Sequence, residues 1–137
     1  MMFLLDTDVM IDLLRKLPAA VEWFSTLGEP PALRGFVVME LLQGCCDNRD
    51  VTHALRLVAP LPVVWPTEDD CNRALADFSK LPLSHRLGLI NALIAGCAVG
   101  SNATLCSLNE KHYRAVPHLK LLVPYARPSE ASESATL

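Results

Sequence analysis

The sequence predicts an α/β fold with a central, mostly parallel sheet of four to five strands, covered on both faces. Three observations carry that prediction. Short apolar runs alternate with longer helical patterns along the whole chain, as in strand–helix–strand units. The runs are continuously apolar, as in strands buried on both faces. The first of them, Phe3-Leu4-Leu5, stops on Asp6, and a helical pattern begins at once. That arrangement delivers a carboxylate to the carboxyl edge of the sheet, where open α/β folds bind ligands.

Phe3–Leu5 is the first strand. A helix follows over Asp8–Lys16, with Val9, Leu13 and the Met10/Leu14 pair on one side. Pro18 suits the first turn of a second helix, which runs through Leu27 and is ended by Gly28. After the Glu29-Pro30-Pro31 loop, Ala32–Gly35 reads as a short strand and Val37–Cys46 as a helix. Asp50–Val58 is the next helix, bracketed at its end by Pro60 and Pro62, and Val63-Val64-Trp65 reads as a short buried strand. Thr67 caps a helix to about Lys80, with Asp69 and Asp70 in the first turn, where negative charge suits the helix dipole. A very apolar helix spans Leu87–Val99 and is closed by Gly100. Ala103–Cys106 is a strand, Asn109–Tyr113 a turn of helix and Leu119–Val123 the last strand. From Arg127 the composition turns to Pro, Ser, Glu, Ala and Thr. This predicts one folded domain over residues 1–126 and a disordered tail over 127–137.

A chain of 137 residues, 51% of them hydrophobic, suits a single domain with a sizeable core. The net charge of −3 argues against a general nucleic-acid coat protein, which would be broadly basic, but not against a nuclease with a local positive rim. Arg15, Lys16, Arg34, Arg86, Lys111 and Arg114 are candidates for such a rim. The five cysteines are odd in number, two are adjacent, and no C-x-x-C pair exists. A zinc knuckle or disulfide framework is therefore not expected, and buried free thiols in a reducing cytoplasm are. No signal peptide and no run of transmembrane length is present, so a cytoplasmic protein without a membrane partner is expected.

Four polar positions fall where the fold would gather them. Asp6 ends the first strand. Glu40 is a lone acid in Val37-Val38-Met39-Glu40-Leu41-Leu42, at an apolar helix start. Asn91 is a lone polar group in Leu89-Ile90-Asn91-Ala92-Leu93-Ile94. Asn109 follows the strand ending in Cys106-Ser107. A carboxylate flanked by aliphatics is costly to bury unless something cationic pairs with it. A strand-end Asp is a natural ligand for a hard divalent cation.

These residues resemble a family. Leu4-Leu5-Asp6-Thr7-Asp8-Val9-Met10-Ile11-Asp12, Met39-Glu40-Leu41-Leu42-Gln43-Gly44, Ile90-Asn91-Ala92-Leu93-Ile94-Ala95, Leu105-Cys106-Ser107-Leu108-Asn109-Glu110-Lys111-His112-Tyr113 and Val116-Pro117-His118-Leu119 follow one another as in PIN domains, specifically the VapC-like toxin ribonucleases. The resemblance spans residues 1 to about 124. It implies a PIN-like α/β/α sandwich, cleavage of RNA with magnesium or manganese, a homodimer, and a small antitoxin that inhibits it. It also implies that Asp6, Glu40, Asn91, Ser107 and Asn109 form the catalytic site, with Asp6, Glu40 and Asn91 at the metal and Lys111 and His112 against substrate. Asn91 stands where the family usually has Asp, Asn109 where some relatives have Asp, and Ser107 where Thr is usual. Asn offers a carbonyl oxygen of similar shape but no charge, so the resemblance implies weakened metal affinity and activity weakened or lost.

Each residue also has a structural reading. Asp6 or Asp8 would cap the first helix, Glu40 would be a first-turn acid, and Asn91 and Asn109 would be N-caps. Asp12 falls on a solvated face, Asp69 and Asp70 complement the dipole, and a lone His112 is more often structural. Trp23, Phe24, Trp65 and Phe78 are spaced as core or interface anchors. Two further functions fit the sequence: a non-catalytic PIN scaffold that binds a protein or RNA partner, and a haloacid-dehalogenase-like phosphatase. In the latter, Asp6 is nucleophile and Asp8 general acid.

Overall fold

Each strand is two or three residues long, and every pairing between strands is parallel. The computed structural model describes residues 2–80 and 88–127. β1 (Phe3–Leu5) pairs with β4 (Thr104–Cys106), Leu4 opposite Leu105, and β4 pairs with β5 (Lys120–Leu122), Leu105 opposite Leu121. β2 (Leu33–Arg34) pairs with β3 (Val63–Val64). A parallel bridge from Leu4 to Ala32 joins the two pieces, with the Ala32 N–H donating to the Phe3 carbonyl at 2.8 Å. The joined order is β3-β2-β1-β4-β5. The chain winds outward from β1 on one side and returns to fill the other, so the order reverses between β1 and β4. Side chains at the carboxyl ends of those two strands open onto that reversal point.

Seven helices among the described residues complete an α/β/α sandwich. α1 (Thr7–Leu14) starts directly from β1 with Asp6 as N-cap, and buries Val9, Met10 and Leu13. α2 (Pro18–Ser25) has its proline in the first turn. α3 (Gly35–Gln43) starts two residues before the expected helix, so Glu40 lies in its middle rather than in its first turn. α4 (Asn48–Val58) is capped by Asp47, whose carboxylate accepts from the Asp50 N–H. α5 (Glu68–Lys80) opens with a reciprocal capping box: the Asp70 N–H donates to Thr67 Oγ1, and the Thr67 N–H donates to Asp70 Oδ2. α6 (Leu89–Gly100) begins after Gly88, which places Asn91 inside the helix and not at its N-cap. Leu87, Arg86 and the expected link from Leu81 lie outside the described residues. α7 (Glu110–Tyr113) follows Asn109, which holds the N-cap position without a side-chain cap bond.

The core runs along β1 and β4: Leu4, Leu5, Leu105 and Cys106 are fully buried, with Val9, Met10, Leu33, Val37, Ile94 and Tyr113 packed around them. Further expectations are corrected. Asp12 is only 6% exposed; Tyr125 Oη donates to its carboxylate and Arg127 pairs with it through two nitrogens, at 3.0 and 3.2 Å. Arg127, assigned above to the tail, is thus tied to the domain, while residues 128–137 lie outside the described residues. Val63, Val64 and Trp65 are exposed, because β3 is an edge strand, and Trp65 packs edge-on against Phe36. Arg34 is 3% exposed and donates to the Cys97 carbonyl and Ser101 Oγ, so it is a core residue and not part of a surface rim. All five cysteines are free, but only Cys97 and Cys106 are buried, and burial pushes both thiols up to about 12. No helix among the described residues is long and apolar enough to cross a membrane.

Candidate active site

The parallel register of β1 and β4 sets Asp6 and Ser107 side by side, one residue past each strand. Asp6 is 3% exposed and its carboxylate accepts three hydrogen bonds. Oδ1 accepts from the Thr7 N–H at 2.8 Å, and Oδ2 accepts from Ser107 Oγ at 2.7 Å and from Tyr113 Oη at 3.0 Å. Three donors to one carboxylate fix its orientation. Ser107 in turn accepts from the Asn109 N–H at 3.1 Å.

Thr7 extends the network to α3: its hydroxyl donates to Glu40 Oε1 at 2.8 Å. Glu40 is half-buried, and Oε1 is the oxygen that Thr7 engages. Tyr113, fully buried on α7, reaches α6, where Asn91 Oδ1 lies 3.2 Å from its hydroxyl. Burial, reinforced by the negative charge of Asp6, raises the Tyr113 phenol far above its ordinary range, so it is a proton donor at any working pH. Asp8, two residues into the same turn, accepts the Leu108 N–H at 2.9 Å and lies 3.3 Å from Ser107 Oγ. Desolvation, then the neighbouring Asp6 charge, push Asp8 up to about 6.

Side chains far apart in sequence thus meet in one hydrogen-bonded group. Asp6, Ser107 and Asn91 are linked through direct contacts and Tyr113, Glu40 enters through Thr7, and Asn109 enters through its backbone only, its side chain being exposed. Lys111 and His112 sit on α7 beside Tyr113 but face solvent, outside the network. The sequence does not single out Thr7 or Tyr113, and Asp8, read above only as a helix cap or as the general acid of the phosphatase alternative, joins this network through Ser107 and the Leu108 N–H. Thr7 and Asp8 carry a signal, since both follow Asp6 at the strand end. Tyr113 carries none, because a tyrosine in a short amphipathic turn looks the same whether its hydroxyl meets water or a carboxylate.

A hard divalent cation asks for one or two carboxylates, neutral oxygens and waters. Asp6 and Glu40 are carboxylates and Asn91 carries a neutral carbonyl, the donor types such an ion takes. Among the described residues no group of three His, Cys, Asp or Glu side chains is placed to hold a metal.

A family model for the PIN domain matches residues 3–117. Solved structures match over most of their length. VapBC2 from Rickettsia felis, bound to a DNA fragment from its promoter, is 21% identical with a TM-score of 0.79, covering 89% of this chain and 98% of that one. VapBC from Salmonella typhimurium, bound to DNA, is 18% identical with a TM-score of 0.80, covering 89% and 97%. FitAcB from Neisseria gonorrhoeae is 19% identical with a TM-score of 0.75, covering 92% and 100%. At these identities the likeness is one of fold. No curated protein matches the chain. The matched family is not that of the dehalogenase-like phosphatases, and that alternative is set aside.

Proposed function

The chain belongs to the PIN domain family, and from that premise we propose that it is a metal-dependent ribonuclease of the VapC-like toxin type, its activity lowered by the neutral side chain at position 91. The observation that carries the proposal is the convergence of Asp6, Glu40, Asn91 and Ser107 at the reversal point of the sheet. Asp6 and Glu40 would hold one magnesium or manganese ion, with the Asn91 carbonyl as a weak third ligand. When bound, such an ion supplies charge stabilisation at the phosphodiester and lowers the pKa of an attacking water. Ser107 and the Thr7 N–H orient Asp6, the Thr7 hydroxyl orients Glu40, and the Asn109 N–H fixes Ser107. Lys111 and His112, exposed on α7, are suited to contact the RNA phosphates from the rim.

RNA cleavage with magnesium and with manganese, for the native chain and for Asn91→Asp, tests the reading. Slow cleavage by the native chain and a rise of roughly tenfold or more in the variant is the expected result, restoring one ligand charge being worth at least a pKa-unit equivalent. No cleavage by either protein sinks it. The second reading, a non-catalytic PIN scaffold, is favoured by Asn at both positions 91 and 109, and magnesium titration by calorimetry separates the two.

A small antitoxin partner is supported by the names of the similar structures, which are VapBC, FitAB and toxin–antitoxin complexes. A homodimer is supported by exposed apolar side chains on neighbouring helices: Leu75, 68% exposed, and Phe78 on α5, with Leu89 on α6. Free cysteines fit a cytoplasmic setting.

A further inference from the structure

Three strands deliver side chains of different kinds to one edge of the sheet. Asp6 follows β1, Ser107 follows β4 and Trp65 follows β3. The pairings Leu4–Ala32 and Leu33–Val63 carry the register from β1 through β2 to β3. Trp65 therefore stands at the same carboxyl edge as Asp6, about 10 Å to the side by strand spacing. It is 55% exposed, yet its ring is held from two sides. The six-membered ring lies against Gly35, where a Cβ would overlap it. Phe36 meets it edge-on, with centroids 5.7 Å apart and planes at 83°. An exposed aromatic fixed in this way is preorganised to receive a flat partner. α3 links the pair to the acids. Phe36 and Glu40 are four residues apart on one face of the helix, Met39 beside them is exposed, and Glu40 accepts from Thr7, next to Asp6.

We propose that Trp65, seated on Gly35 and braced by Phe36, is a stacking subsite for one unpaired base of an RNA substrate, on the β3 side of the cleavage site. The subsite rests on the ribonuclease reading above and adds the path of the strand: from Lys111 and His112 on α7, past Asp6 and Glu40, to Trp65. This continuity favours a base over a protein side chain as the occupant. A nucleotide whose phosphate sits at Asp6 has neighbours that pass along the same edge, and the open aromatic there is Trp65. Every base has a π-face, so the subsite accepts any base. It selects single strands, whose bases are free to leave their neighbours and stack on a side chain.

The test is binding of a fluorescein-labelled single-stranded oligoribonucleotide and of a blunt RNA duplex, in chelator, to the native chain, Trp65→Phe and Trp65→Leu, followed by anisotropy. Trp65→Phe keeps a ring and is expected to bind the single strand within about threefold of the native chain. Trp65→Leu keeps apolar bulk without a π-face and is expected to bind it about tenfold more weakly, the loss of one stacked base. The duplex is expected to bind all three alike. Tryptophan emission gives a second reading, because Trp23 and Trp65 are the two tryptophans of the chain. An unlabelled single strand is expected to quench the native chain and not Trp65→Phe. Equal single-strand affinity of the native chain and Trp65→Leu overturns the proposal, as does an equal loss on the duplex or a native chain that binds no single strand. If Trp65→Leu does not fold, emission decides: quenching that is lost in Trp65→Phe upholds the subsite, and quenching that persists there, or is absent from the native chain, overturns it. Native RNA affinity in Trp65→Leu with a changed sedimentation coefficient overturns it as well, and assigns the ring to a contact between protein chains. Cleavage assays with manganese keep the two readings apart. The expected binding without cleavage removes the nuclease reading and leaves the subsite standing, whereas cleavage with equal binding by all three chains removes the subsite alone.

Discussion

Asp8 shows how a single side chain can work against the fold that holds it. Its carboxylate is buried beside Asp6, and that environment moves it from 3.8 to about 6. Between those values the folded chain holds a proton that the unfolded chain has released, so stability falls as pH rises through the window and stays lower above it. Asp8→Asn keeps an oxygen for the Leu108 N–H and removes the charge. In chelator at about pH 7.5 the variant should be more stable than the native chain by about 2 kcal/mol, the gain vanishing below about pH 4. Urea titrations across that range check this, and identical curves at all pH values would contradict it. The residues that surround Asp8 were unequally legible. Asp6, Glu40 and Asn91 stand out because each is polar within an aliphatic run. Thr7 and Tyr113 do not, because their roles depend on which carboxylate lies opposite, and that is fixed by elements up to 107 positions away.

Helix identity follows from local pattern, whereas helix contact depends on details too small for the pattern to carry. α5 and α6 pack closely at Gly96, where an added Cβ would lie 2.9 Å from the Asp70 carbonyl oxygen and 3.2 Å from Ala74 Cβ. Neither neighbour can swing away, because one is backbone and the other a helix methyl. Gly96→Ala should therefore cost about 2 kcal/mol by overpacking, although alanine is the better helix former. Gly28→Ala, with nothing within 4 Å, should stay within about 0.5 kcal/mol of the native chain. Chemical denaturation of the pair checks the contrast, and equal effects would show that the two helices can separate without penalty. Every helix in the described residues was anticipated from periodicity, caps and breakers, with ends displaced by a few residues. The displacement matters once: starting α3 at Gly35 moves Glu40 from a first-turn acid to a mid-helix one, which removes the dipole as its reason for being there.

Across the molecule, the C-terminal segment closes the fold back onto its first helix. Arg127 and Tyr125 both bind Asp12, Tyr125 also packs on Trp23, and Trp23 stacks on Phe3 with ring centroids 6.4 Å apart. Arg127→Ala leaves a buried carboxylate with the Tyr125 hydroxyl alone, and should cost about 1–2 kcal/mol, limited by the solvent that reaches the guanidinium. Asp12→Asn should cost less than Arg127→Ala, because it removes the buried charge itself and leaves unpaired only the Arg127 guanidinium, which solvent reaches. Melting temperatures of the two variants check the order, and the reverse order would mean that the ion pair itself is the stabilising term. The sequence by itself determined the α/β class, the succession of elements and the strand-end acid, because these depend on apolar periodicity and on residues adjacent in the chain. Only the tertiary structure decided that Asp12 and Arg34 are buried, that β3 is an exposed edge, and that a tyrosine hydroxyl lies between Asp6 and Asn91. The reason is physical: burial and hydrogen-bond partnership are set by what packs from elsewhere, and for these side chains every decisive neighbour comes from a distant element.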